Sequence, residues 1–268
     1  MFAVRSRGVL VLAGLLVLCG CSAPEAPAPP ARPSRAGSVA PAPSTEPPST
    51  VAAPPKVVVL DPGHNGGNTG APGVINAPVP AGRGETKPCN TTGTSSDDGY
   101  PEHAFTWDVA RRVGALLAEA GVRVVYTRED DSGVGPCVDE RAAVGNRAGA
   151  DAVVSIHADG SRASGARGFH VSYSDPPLND AQGEPSVALA RAVREGLSSA
   201  GFPLSTYLGK QGLAPRDDLA GLNLSQRPAV LVECCNMRNA AEAAEMSTAD
   251  GRAHYAAAIA EGILAYLG

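Results

Sequence analysis

The distribution of apolar and polar positions along the chain divides it into segments of two kinds. Short continuous apolar runs, "KVVVLDPGH" (56–64), "VRVVYTR" (122–128), "DAVVSIHAD" (151–159), "GFHVSY" (168–173) and "PAVLVECC" (228–235), are rich in Val and Ile and bounded by Gly, Pro or Asp. Runs of this kind read as strands buried on both faces. Between them lie longer segments of helical period. In "PEHAFTWDVARRVGALLAEAG" (101–121) the spacing places Phe105, Val109, Val113, Leu116, Leu117 and Ala120 on one face, with Pro101 near the start and Gly121 at the stop. A short helix, "DERAAVGNRAGA" (139–150), a longer one, "PSVALARAVREGLSSAG" (185–201), and a closing one, "GRAHYAAAIAEGILAYLG" (251–268), complete the alternation. Strands interleaved with helices predict a single α/β domain: a mostly parallel, twisted sheet covered by helices on both faces.

The first fifth of the chain lacks any such period. Residues 1–21 carry Arg5 and Arg7 ahead of an apolar run from Val9 to Leu18, too short to span a bilayer and flanked like a secretory signal. The run ends in Leu18-Cys19-Gly20-Cys21, similar to the lipobox of bacterial lipoproteins, which predicts an N-terminal lipid anchor on Cys21; an ordinary signal peptide cut near Ala23 is the alternative. Residues 22–55 place proline every few positions among Ala and Ser, the composition of a disordered tether. The expected organisation is an export signal over 1–21, a tether over 22–55 and a folded domain over 56–268. It places the protein outside the cytoplasm, either membrane-tethered or secreted to the cell wall or periplasm.

Composition narrows the classes further. The 268 residues carry a net charge of −5 with few aromatic residues and no basic stripe, which argues against nucleic acid as a partner. Export makes a disulfide permissible. Cys89 and Cys137 both lie in loop-like Gly/Ser/Thr/Asp-rich segments and are expected to pair, whereas the adjacent Cys234 and Cys235 follow an apolar strand and read as thiols.

Three of the predicted strands end in a residue that can bind a metal or move a proton: His64, His157 and Glu233. In open sheets of this class ligands bind beyond the carboxyl ends of the strands, so the three would share one rim. Glu102 opens a helix just after a Gly-rich loop, where the helix dipole favours its ionised form; Glu85 is the competing carboxylate. Two imidazoles and one carboxylate make up the His2Glu set of a catalytic zinc site, and one carboxylate is left to act as base. His103, His170 and His254 read as structural, and Trp107 and Tyr173 as packing residues. Asp61 is either a partner that orients an imidazole or a turn-former before Pro62.

With these residues in view, "LDPGHNGG", "PEHAFTWDVARRV", "RAAVGNRAGADAVVSIHADG" and "RPAVLVECCNMRN" resemble, in order, the motifs of the zinc-dependent N-acetylmuramoyl-L-alanine amidases of the Amidase_3 type. The resemblance covers Lys56 to Gly268. It implies one Zn2+ bound by His64, Glu102 and His157, with Glu233 as the catalytic glutamate. The implied partner is peptidoglycan or its muropeptides, and the implied reaction is hydrolysis of the amide between the muramoyl lactyl group and L-alanine. Arg216 is a candidate for substrate binding, or else a surface arginine paired with Asp217 or Asp218. Cys234 and Cys235 stand where many relatives carry apolar residues, and the segment 66–100 is longer than expected for the family. A monomer is expected. Two other functions suit the same residues: a non-catalytic peptidoglycan-binding protein on an amidase scaffold, and a zinc peptidase acting within the stem peptide.

Overall fold

The computed structural model describes residues 54–268; the predicted signal, the lipid-anchor cysteine Cys21 and nearly all of the tether lie outside the described residues. In chain order the elements are β1 (Val57–Pro62), α1 (Pro72–Ile75), β2 (Pro78–Gly82), β3 (Glu85–Pro88), α2 (Glu102–Glu119), β4 (Arg123–Tyr126), α3 (Val138–Ala148), β5 (Ala152–Asp159), β6 (His170–Ser174), α4 (Glu184–Ser199), β7 (Leu213–Arg216), α5 (Ala220–Asn223), β8 (Ala229–Asn236), α6 (Ala240–Met246) and α7 (Ala249–Leu267). Six strands form one sheet in the order β4-β1-β5-β8-β6-β7, and β2 and β3 form a separate antiparallel hairpin. Every pairing in the large sheet is parallel except β6 with β8. The predicted α/β class is therefore what the chain adopts.

The two faces of the sheet are covered unequally. On one face α2 presents Phe105, Val109, Val113 and Leu117, spaced four residues apart and fully buried, while α4 contributes Leu189, Val193 and Leu197 and α7 contributes Tyr255, Ile259 and Ile263. Leu116 and Ala120, expected on the buried face of α2, are exposed instead. Their positions lie just beyond the stripe that four-residue spacing turns toward the sheet. Gly196 of α4 and Gly262 of α7 let these two helices approach closely: a Cβ on Gly196 would lie 2.3 Å from the Ala258 carbonyl oxygen. The opposite face carries a smaller core of Val59, Ala150, Val153, Leu222 and Ala229, covered by α3 and α5. The parallel strands β1, β5 and β8 run in the same direction and finish at one end of the sheet.

The segment 66–100, read from sequence only as a long loop, contains α1 and the β2–β3 hairpin. It is fastened just after the hairpin by a disulfide between Cys89 and Cys137. The Val138 amide also donates to the Cys89 carbonyl at 2.8 Å, so the base of the hairpin and the start of α3 are joined covalently and by hydrogen bond. Cys234 and Cys235 are free thiols, both buried in the thicker core.

Candidate metal centre and active site

β1 and β5 are adjacent and parallel, with Pro62 opposite Ile156, so the residues following each strand end meet at the same edge. His64 follows the Asp-Pro-Gly turn, and His157 lies two residues before the end of β5. Gly63 is required between them, because a Cβ there would lie 2.3 Å from the His157 ring. Glu102 enters from the first turn of α2 and is 3% exposed. Its Oε1 lies 3.1 Å from His64 Nε2 and 3.0 Å from His157 Nδ1. The three side chains offer one ligand atom each, all within 4.8 Å of one another.

Backbone donors hold the carboxylate in this place. The Thr94 amide donates to Glu102 Oε2 at 2.9 Å and the Ala158 amide to Oε1 at 3.1 Å. Burial opposes its ionisation, but the two imidazoles together hold Glu102 well below the usual carboxylate range. Gly93, at φ +77°, passes so close that a Cβ would lie 2.9 Å from Glu102 Oε2.

His64 is oriented from behind by Thr91, whose carbonyl oxygen lies 3.2 Å from Nδ1 and whose hydroxyl lies 3.1 Å away. A carbonyl oxygen only accepts, so the Nδ1–H donates to it and Nε2 turns its lone pair toward Glu102. A lone pair facing a carboxylate oxygen at 3.1 Å is favourable only with a proton or a cation between them. Two imidazole nitrogens and a carboxylate oxygen, with one imidazole tied to a backbone carbonyl, are the donor set of a tetrahedral site that leaves a fourth position open. The residues present therefore fit one metal ion.

The turn carrying His64 is held by two arginines. Arg141 of α3 donates to Asp61 Oδ1 (2.6 Å), Pro62 O (2.7 Å), His64 O (2.7 Å), Gly135 O (3.1 Å) and Pro136 O (2.9 Å). Arg128 donates to Pro62 O at 3.0 Å and His103 O at 3.0 Å, linking the turn to the start of α2. His64 itself sits at φ +61°, a left-handed conformation unusual for a side chain with a Cβ, and these bonds hold it there. Asp61, considered above as a partner for an imidazole, accepts from Arg141, Thr127 and Ser155 and makes no hydrogen bond to a histidine among the described residues.

Glu233 stands on β8 directly opposite His157 on β5. Its Oε2 is buried without a hydrogen-bond partner. Burial raises its pKa well above the usual carboxylate range, the Glu102 and Asp159 charges raise it further, and Arg216 opposes them. A carboxyl group so placed can take up and release a proton nearer neutrality than a free one. Arg216 is bound through Nε and Nη2 to the Asp218 carboxylate, both at 2.7 Å. His103 is paired with Asp131 at 2.8 Å and Glu85 is exposed on β3, so neither joins the cluster. Trp107 is packed beneath the Arg128 guanidinium, 4.9 Å from its ring centre. Next to the cluster, an apolar cavity of about 190 Å³ opens between His64 and His157 and runs along Val153 and Leu231 beneath Leu219 and Leu222.

His64, Glu102, His157 and Glu233 are thus brought together at one end of the sheet. Thr91 and Arg141 belong to the same constellation. Neither role was predicted, because Thr91 lies in a loop and the acceptors of Arg141 come from the turn after β1 and the loop before α3, which carry no periodic signal.

Comparison with known proteins agrees with this architecture. The family model described as N-acetylmuramoyl-L-alanine amidase matches residues 58–265. The N-acetylmuramoyl-L-alanine amidase Rv3717 of Mycobacterium tuberculosis is 51% identical over 211 residues, covering 79% of this chain and 86% of the relative. The crystal structure of the N-acetylmuramyl-L-alanine amidase Ami1 from Mycobacterium smegmatis is similar at 54% identity and a TM-score of 0.77, over 80% of this chain and 97% of that one. The amidase AmiC2 of Nostoc punctiforme, at 26% identity and a TM-score of 0.60, matches over 79% of this chain and 97% of its own. By fold, motif order and extent of match, the chain belongs to the Amidase_3 family of N-acetylmuramoyl-L-alanine amidases.

Proposed function

We propose that the protein hydrolyses the amide between the lactyl group of N-acetylmuramic acid and the L-alanine of the peptidoglycan stem peptide. In this reading one zinc ion is held by His64, Glu102 and His157, and Glu233 is the proton carrier. The observation that carries the reading is the placement of Glu233 opposite His157, beside a three-donor group that fits a metal. Bound zinc would polarise the scissile carbonyl and acidify water within the site.

The chain's own residues supply the rest. An amide needs a proton on its nitrogen before that nitrogen departs, and attack by water needs a base. Glu233, with its raised affinity for a proton and an unpartnered oxygen, accepts the proton from water and returns it to the leaving amine. Thr91 and Arg141 keep His64 in register, and the Thr94 and Ala158 amides keep Glu102 fixed. The site therefore needs little rearrangement on binding. The export signal over 1–21 supports action in the wall, where peptidoglycan lies, with Cys21 as the lipid-anchored residue.

Replacing Glu233 by Gln keeps size and packing but removes the proton carrier. The variant is expected to bind one metal ion per chain and to lose hydrolysis by about 10²- to 10⁴-fold. Hydrolysis within a few-fold of the parent would place the base elsewhere.

A further inference from the structure

The apolar cavity beside the metal cluster has a size and a lining that the hydrolytic scheme leaves unused. Its floor is the thinner face of the sheet, where Val153 of β5 pairs with Ala229 of β8 and Leu231 stands two residues further along the same face. Ala142 of α3 and Leu222 of α5, from the helices on this face, join the lining. Three of the five residues that make up the thinner core, Val153, Leu222 and Ala229, therefore also line the cavity. His64 and His157 border it as well.

Water is a poor occupant of such a place. A buried water molecule needs about three polar partners, and the polar side chains of the lining are already bonded to protein. Asp61 accepts from Arg141 Nη1 and from the Ser155 hydroxyl, both at 2.6 Å. The Asn90 side-chain amide donates to the Pro136 carbonyl at 2.8 Å, and Lys87 Nζ donates to that of Asp218 at 2.6 Å. An apolar guest forfeits no hydrogen bond against these walls and gains the burial of its own surface.

The volume sets the size of that guest. A cavity of roughly 150 Å³ lined by aliphatic and aromatic side chains takes benzene, so one of about 190 Å³ takes a single ring with a short alkyl substituent. The proposed substrate has no group of this kind, since its lactyl and alanyl methyls are single carbons. We propose that the cavity is a binding site for a small uncharged aromatic molecule of toluene size, whose ring lies against His64 and His157. Thr91 and Arg141, which hold His64, border the same cavity, so the guest meets the metal cluster and its supports from one side. This goes beyond the hydrolytic reading, because neither substrate nor metal takes part in holding the ring.

The test titrates toluene into the purified protein, as isolated and after chelation, and follows methyl and imidazole signals by NMR. The expected result in both preparations is saturation at one toluene per chain, with ring-current shifts on the methyls of Val153, Leu222 and Leu231 and on the His157 imidazole. Benzoate, a similar ring carrying a charge, leaves the same signals of the chelated protein unmoved. Ala142→Leu adds three carbons to the lining and weakens toluene binding by about tenfold or more. Leu231→Ala enlarges the cavity and turns the preference from toluene toward naphthalene, which reads size selection without depending on how Ala142→Leu folds. Shifts that are absent or fail to saturate, or a Leu231→Ala protein with the parent's ring-size preference, would overturn the site; so would a folded Ala142→Leu protein that binds toluene as the parent does. Because the chelated protein carries the test, its outcome is separate from that of the zinc and Glu233 assignments.

Discussion

At the scale of single residues, the His64, Glu102 and His157 cluster depends on groups outside it. Asp61 is buried, which opposes its charge, yet Arg141 with the Ser155 and Thr127 hydroxyls holds its pKa at about 2. Arg141→Met would leave that carboxylate uncompensated and free the His64 carbonyl. The expected cost is about 3–5 kcal/mol of stability and a 10- to 100-fold loss of metal affinity, read from denaturant unfolding and competitive metal titration. Arg141→Lys should recover little of either, because an ammonium cannot span five acceptors on two segments. Metal affinity unchanged in both variants would mean that His64 is held by other contacts. His170 sets a pH dependence. Its ordinary pKa of 6.5 falls to about 4 in the fold, so between these values the unfolded chain binds a proton that the folded one refuses. Stability contributed by the neutral ring is therefore complete above pH 6.5 and lost as pH falls toward 4, by at most about 3 kcal/mol. Denaturant unfolding of the parent and of His170→Gln across this range should show a steeper decline in the parent; parallel profiles would contradict the buried neutral imidazole. His64, His157 and Glu233 were legible in the sequence because each lies at the end of an apolar run. His170 was legible as a strand residue only, since its neighbour on β8 is decided by an antiparallel pairing that no local pattern encodes.

At the scale of elements, the long helices and central strands were readable because a four-residue apolar spacing or an unbroken Val/Ile run survives in the sequence. What escaped is short, proline-bearing or exposed. β2 and β3 contain Pro78, Pro80 and Pro88 and are largely exposed, and β7 is four residues long with Pro215 within it. The hairpin bears directly on the site, because Cys89 follows it, Thr91 orients His64 two residues later, and Cys137 leads into the helix that carries Arg141. Closing this 48-residue separation stabilises by about 4 kcal/mol in the chain-entropy model. Reduction of the disulfide is expected to change kcat/KM on muropeptides more than it changes metal content, because the ligand atoms come from β5, α2 and the turn after β1 rather than from the hairpin. Identical kinetics of the oxidised and reduced forms, with the bridge verified in the first, would contradict this role.

At the scale of the whole molecule, the alternation of strands and helices foretold an α/β sheet, but not the unequal covering of its faces. That inequality has a functional side: the thick core of α2, α4 and α7 backs the sheet, while the thinner face carries the apolar cavity beside His64 and His157. The central claim is that this rim is a zinc amidase site acting at the muramoyl–alanine bond. The measurement that tests it most directly is mass-spectrometric analysis of muropeptides digested by the purified protein as isolated, after chelation, and with zinc restored. The account predicts intact stem peptide with a free L-alanine amine, lost on chelation and regained with zinc. A new amino terminus inside the peptide, or undiminished release after complete chelation, would contradict it.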